Sequence, residues 1–238
     1  MIKKVKKKIM KIVLQEKSSP DEYLNHLRCL GCKIGEGTSI FASPRNVFID
    51  DTRPWLIDIG NNVQITRNVT ILTHGYDWAV IKGVYGDVLG SAGKVKIGNN
   101  VFIGMGTTIL KGTTIGDNVI IGANSLVNGN FPSNCVIAGN PARIVSTLED
   151  YYVKRKNNQY EEAKEVAIEY FRRYGELPPK DIFDEFFWLF ENRDEIREYK
   201  FINKMNLCGN YEESLIKYKE TEPLFEDYND FLQKCGLK

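Results

Sequence analysis

The stretch "IGNNVFIGMGTTILKGTTIGDNVIIGANSLVNGNFP", Ile97 to Pro132, repeats with a period of six, placing an aliphatic residue at Ile97, Ile103, Ile109, Ile115, Ile121 and Val127. The same spacing occurs earlier at Ile59, Ile65 and Ile71, and more weakly at Ile34 and Ile40. An amphipathic helix would need apolar residues at i, i+3, i+4 and i+7. Here glycine follows the aliphatic residue at Gly35, Gly60, Gly98, Gly104, Gly116 and Gly122, and each would cost a helix roughly 0.5–1 kcal/mol. A short strand followed by a tight bend fits the hexad better: the β-branched side chain packs inward, and Gly or Asn takes the positive-φ position. Coils stacked about 4.8 Å apart then satisfy one another's backbone groups, and identical aliphatics fill the interior. The pattern predicts a parallel β-solenoid. Its phase slips by one residue between Ile40 and Ile59 and by two between Ile71 and Ile97, so the coils are irregular and one segment leaves the stack.

The rest of the composition bounds the setting. The 238 residues are 42% hydrophobic and 26% charged, with a formal net charge of +1. That balance supplies no global field to attract nucleic acid, so any anion site must be local. No apolar run reaches the roughly 18 residues that span a bilayer. The lysine-studded start lacks the apolar core and cleavage site of a secretion signal, and the five cysteines suit a reducing compartment. The expectation is a cytoplasmic protein. Cys29 and Cys32 in "CLGC" resemble half a zinc site, with His26 as a conceivable third ligand. No second pair completes a tetrahedral set, so no metal is expected.

Helices are predicted on both flanks. In "SSPDEYLNHLRCLG", Ser19 reads as an N-cap, Pro20 as the first helical residue, Glu22 as the capping-box partner and Gly31 as the stop. Ahead of it, Ile2, Val5, Ile9, Ile12 and Val13 form an apolar stripe among lysines. Such a face suits a protein neighbour better than a membrane surface, because no aromatic anchors it. Beyond the solenoid, "YEEAKEVAIEYFRRYG" and "KDIFDEFFWLFENR" both show helical periodicity, separated by "GELPP". The domain reading is a helical segment over 1–30, the solenoid over 31–148 with an excursion loop at 73–94, and a helical extension over 149–238.

Chemistry concentrates where the ladder breaks. The segment "VTILTHGYDW", Val69 to Trp78, carries His74, one of two histidines in the chain. A loop of this length leaving a rigid stack is usually functional, and this one also carries Tyr76, Asp77, Trp78, Tyr85 and Asp87. Imidazole is the side chain best matched to proton transfer near neutral pH. The bland alternative is a histidine that caps a turn.

"ILTHGYDW", then "GSAGKVKIGNNVFIGMGTTILKGTTIGDNVIIGANSLV", then "VIAGNPARIV" together resemble the O-acetyltransferase branch of the hexapeptide-repeat family, over roughly residues 31–148. The resemblance implies a left-handed parallel β-helix, acetyl-CoA as co-substrate, and His74 as the general base that deprotonates an acceptor hydroxyl. The second ring nitrogen then needs a partner, with Asp77 or a backbone carbonyl as candidates. Asn68, Tyr76, Asp77, Trp78 and Tyr85 are the candidate acceptor-binding residues, and the aromatics favour a sugar or saccharide.

The resemblance further implies a coenzyme groove at Phe102, Gly104, Met105, Gly122 and Ala123. Asn140 and Pro141 would close the last coil, and Arg143 would meet the nucleotide end. Met105 replaces a frequent small polar residue, and Asn128-Gly129 stands where relatives carry a lysine. Lys111, or the run Lys154 to Lys156, is the candidate replacement cation. A homotrimer with sites between neighbouring subunits is expected. The rival readings are a non-sugar acceptor, such as serine or an antibiotic, and a non-catalytic scaffold.

Overall fold

The computed structural model describes residues 15–194 and 196–237. The lysine-rich stripe expected at 2–13 lies outside them. The chain divides into two compact units, at Tyr151 and Tyr152.

The first unit is built from two- and three-residue strands. A first parallel sheet contains β1 (Lys33–Ile34), β4 (Ile57–Ile59), β9 (Val95–Ile97), β12 (Thr114–Ile115) and β15 (Asn130–Phe131). A second contains β2 (Ser39–Ile40), β5 (Gln64–Ile65), β10 (Val101–Ile103), β13 (Val119–Ile121) and β16 (Cys135–Gly139), with β17 (Ala142–Thr147) added antiparallel at its end. A third contains β3 (Phe48–Ile49), β6 (Thr70–Ile71), β11 (Thr108–Ile109) and β14 (Leu126–Val127). The chain therefore visits first, second and third sheets in rotation, and each visit adds one strand to each sheet.

The register explains why period six is needed. Ile34, Ile59, Ile97, Ile115 and Phe131 stand opposite one another along the first sheet. Ile40, Ile65, Ile103, Ile121 and Ile137 do so along the second, and Ile49, Ile71, Ile109 and Val127 along the third. These ladders form one continuous buried core, in which each fully buried Val or Ile contributes about 1.5–3 kcal/mol.

The bends refine the expectation for the glycines. Positive φ belongs to residues further along each bend, among them Asn62, Asn100, Asn118 and Asn134, whose side-chain amides join from rung to rung, Asn100 to Asn118 and Asn118 to Asn134 at 2.9 Å each. The glycines directly after the aliphatic residues answer a different need. A Cβ on Gly60 would lie 2.5 Å from the carbonyl oxygen of Gly98, so the close stacking of rungs excludes a side chain there.

Helix α1 (Pro20–Leu30) packs Tyr23, Leu24 and Leu27 into the same core. The Ser19 hydroxyl accepts from the Glu22 N–H at 3.2 Å, and Gly31 ends the helix at φ 111°.

The excursion expected as a loop is partly ordered. After β6, the pair β7 (His74–Gly75) and β8 (Ser91–Ala92) forms a short antiparallel ribbon, and between them lies α2 (Trp78–Tyr85). None of the residues of α2 is buried.

In the second unit, α3 (Leu148–Tyr174) accounts for "YEEAKEVAIEYFRRYG". The segment "KDIFDEFFWLFENR" is not an α-helix; it contains 3₁₀ turns at Lys180–Ile182 and Phe187–Leu189. The Phe183, Phe187 and Phe190 spacing imitates a helical face, but aromatic residues are mediocre helix formers. Here they are held instead by ring contacts, Phe187 stacked on Phe201 at 4.7 Å and Phe183 edge-on to Phe231 at 5.2 Å. Three further helices, α4 (Tyr199–Met205), α5 (Tyr211–Glu220) and α6 (Tyr228–Lys234), enclose this aromatic core.

Candidate active site

His74 sits at the edge where the chain turns from the third sheet to the first. Thr73 completes the turn from β6, and Gly93 brings the excursion back by donating its N–H to the Thr73 carbonyl at 2.8 Å. The His74 backbone is fixed by pairing with Ala92. Its imidazole is 12% exposed and meets the Tyr76 ring edge-on at 5.1 Å. Trp78 follows at 6.3 Å from Tyr76.

The orienting partner is Asp50, which the sequence reading did not single out. Its Oδ2 lies 2.6 Å from His74 Nδ1, and the residue is 1% exposed. The same oxygen accepts from the N–H and hydroxyl of Thr73, while Oδ1 accepts from the N–H and hydroxyl of Thr52 at 3.1 and 2.7 Å. Burial alone raises the Asp50 pKa, but the hydrogen bonds from Thr73, Thr52 and His74 outweigh it and hold the carboxyl well below its ordinary range. A carboxylate at Nδ1 makes that nitrogen the donor, so Nε2 carries the free lone pair. Asp77, the partner considered from sequence, makes no hydrogen bond to the imidazole among the described residues; its carboxylate lies against Gly75 instead, where a Cβ would come within 2.6 Å of Oδ1.

The other candidates separate into two groups. Lys111 lies on the His74 edge, one rung further along, since Ile71 pairs with Ile109. Tyr76 meets the imidazole and Trp78 lies beyond Tyr76, whereas Tyr85 stands at the end of α2, 76% exposed. Asn68, at φ 60°, bends the chain between the second and third sheets and so belongs to a different edge. On the second sheet, Phe102 pairs with Ile120 and remains partly exposed, as does Met105. Gly104 and Gly122 follow their strands at the next edge, and a Cβ on Gly104 would lie 2.6 Å from the Ala123 nitrogen. Arg143 pairs with Ala138 in the β16–β17 hairpin, with Asn140 and Pro141 at its turn. One chain therefore brings Phe102, Gly104, Met105, Gly122, Ala123 and Arg143 to one side, and places His74 on another edge.

Cys29 is exposed and Cys32 buried, with burial pushing the Cys32 thiol up to about 11. Among the described residues, no group of three or more His, Cys, Asp or Glu is placed to hold a metal ion, and no helix is long and apolar enough to cross a membrane.

Comparison with known proteins gives this geometry its family. Residues 94–129 match the family described as bacterial transferase hexapeptide (six repeats). Protein CapG of Staphylococcus aureus is 36% identical over 157 residues, spanning 66% of this chain and 85% of CapG. YvoF of Bacillus subtilis (strain 168), whose acetyltransferase designation is provisional, is 35% identical over 132 residues, spanning 54% of this chain and 68% of YvoF. A solved structure of a maltose O-acetyltransferase from Clostridium difficile 630 is 30% identical, covering 54% of this chain and 75% of that one with a TM-score of 0.41. The chain belongs to the hexapeptide-repeat acetyltransferase family. It is an acyltransferase.

Proposed function

We propose that this chain is an acetyl-CoA-dependent O-acetyltransferase acting on a saccharide hydroxyl, with His74 as general base. The observation that carries the reading is the 2.6 Å contact between His74 Nδ1 and the buried Asp50 carboxylate, which presents Nε2 as a proton acceptor. Coenzyme A supplies the acetyl group as a thioester whose carbonyl carbon is the electrophile. His74 Nε2 takes the proton of the acceptor hydroxyl as its oxygen bonds to that carbon, and returns it to the departing thiol sulfur. Asp50 stabilises the imidazolium that exists in between. A glycine-rich bend supplies a backbone N–H to the oxyanion.

The residues of the second sheet suit the coenzyme's pantetheine arm. Phe102 and Met105 offer apolar surface, and the flat edge at Gly104 and Gly122, where a Cβ would strike the next rung, lets an extended chain lie close. Arg143 offers the phosphates a cation. Since these residues and His74 occupy different edges of one chain, a homotrimer of left-handed β-helices, with each His74 facing a neighbour's second sheet, unites them. Tyr76 beside the imidazole, with Trp78 next to it, favours a saccharide over an amino acid, because flat aromatic faces match sugar rings.

The test is thiol release from acetyl-CoA in the presence of a panel of sugars. His74→Ala should lower kcat by about 10²- to 10⁴-fold while leaving the assembly intact by sedimentation. Unchanged release in that variant overturns the role of His74, and saturable release with amines but never alcohols overturns O-acetylation.

A further inference from the structure

We propose that Arg53 and Trp55 form an acceptor subsite selecting an anionic saccharide, a class narrower than the reading above and resting on it. The turn after β3 runs from Asp50 to Leu56 and occupies the same edge as His74, one rung away, because β3 pairs with β6 and β4 with β9. A continuous chain of contacts joins the two: Arg53 Nη1 to Thr52 Oγ1 at 3.5 Å, Thr52 Oγ1 to Asp50 Oδ1 at 2.7 Å, and Asp50 Oδ2 to His74 Nδ1 at 2.6 Å. The guanidinium is thus tied through two side chains to the Nδ1 side of the imidazole, on the edge that carries His74. Among the described residues no carboxylate pairs with it, although Asp50 is close; that carboxylate is already saturated by Thr52, Thr73 and His74. A cation left with open donors beside a general base fits a planar or forked anion on the substrate.

Trp55 stands two residues on, in the 3₁₀ turn Pro54–Leu56, and is 68% exposed. An indole so open contributes little to the core, and its flat face on the catalytic edge suits a sugar ring. The anion belongs to the acceptor and not to coenzyme A. The coenzyme's phosphates lie a full pantetheine arm away from the thioester, whereas Arg53 is two bridging side chains from the imidazole.

The experiment is equilibrium binding of glucuronate and galacturonate oligosaccharides, their methyl esters and a sugar phosphate to the full chain, alongside thiol release. The acids should bind at least about ten-fold tighter than their esters, the scale of one charge-assisted contact. Arg53→Gln should erase that preference and Arg53→Lys retain part of it, while Trp55→Ala should weaken acid and ester alike. Tighter binding of the sugar phosphate than of either acid assigns the anion as phosphate and keeps the subsite. Equal binding of acid and ester by the unaltered protein, or a preference that survives Arg53→Gln, overturns the proposal. Because binding is read without turnover, its failure is distinct from that of the acetyl-transfer reading, which falls on thiol release in His74→Ala.

Discussion

His74 Nδ1 meets Asp50 Oδ2 at 2.6 Å, although the two residues are 24 positions apart in the chain. The contact depends on the rung geometry: Ile49 pairs with Ile71, so the residues that follow each strand meet at the same edge. Two threonines, Thr52 on Oδ1 and Thr73 on Oδ2, fix the rotation of the carboxylate. Asp50→Asn keeps the size but lets the amide donate, which favours the wrong imidazole tautomer. We expect kcat for acetyl transfer to fall by on the order of 10²-fold or more with a smaller change in KM, read by thiol release, with the fold retained by circular dichroism.

The same carboxylate makes stability depend on acidity. Its folded pKa is depressed, so the unfolded chain binds the proton more readily. The stabilisation is present above the ordinary aspartate value of about 3.9 and is lost as pH falls through the lower folded value. Thermal unfolding followed from pH 7 to pH 3 should show the unaltered protein losing stability at the acid end. Asp50→Asn should start less stable at neutral pH, and its deficit should shrink as pH falls. A deficit constant across that range would remove Asp50 from the acid response.

The sequence made the regular rungs legible because one aliphatic residue every six leaves no helical alternative, and it made His74 legible because the histidine falls where that rhythm stops. Asp50 was hidden by the same logic. Ile40 and Ile49 are nine residues apart, so Ile49 drops out of the hexad count and the acid after it has no visible position. Aligning Ile49 with Ile71 pairs "FI" with "TI" and brings the acid after Ile49 to the edge that carries His74. The 3₁₀ segment around Phe187 is illegible in the sequence for a different reason: its aromatic spacing satisfies a helical template, and only the ring contacts made at long range decide against it.

Two glycines give opposite outcomes on substitution by alanine. At Gly60 a Cβ would lie 2.5 Å from the Gly98 carbonyl oxygen, and at Gly83 nothing lies within 4 Å. Gly60→Ala must force rungs apart, a backbone collision expected to cost about 1–3 kcal/mol or more. Gly83 lies inside α2, where alanine is the better helix former, so Gly83→Ala should gain about 0.5–1 kcal/mol for that helix. Urea denaturation reads the first. The second appears as slower amide exchange within α2, since that helix unfolds locally before the core.

Arg193 is the side chain on which the second unit's irregular segment depends. Its guanidinium donates to three carbonyls, Thr221 and Trp188 at 2.6 Å each and Glu191 at 2.9 Å, and lies 4.3 Å from the centre of the Tyr218 ring. The 3₁₀ turn and the chain after α5 lack a helix's internal bonds for these carbonyls, so one planar cation satisfies all three. Lysine carries the charge but not the fork. Arg193→Lys should therefore cost about 2–4 kcal/mol, since bonds from a charged donor are worth roughly 1.5–3 kcal/mol each and do not add fully. Arg193→Met, which keeps the stem and removes every donor, should cost more. Urea unfolding followed by tryptophan fluorescence, with Trp188 the reporter in this unit, measures both; equal losses in the two variants would show that packing of the stem, and not the fork, is what Arg193 provides.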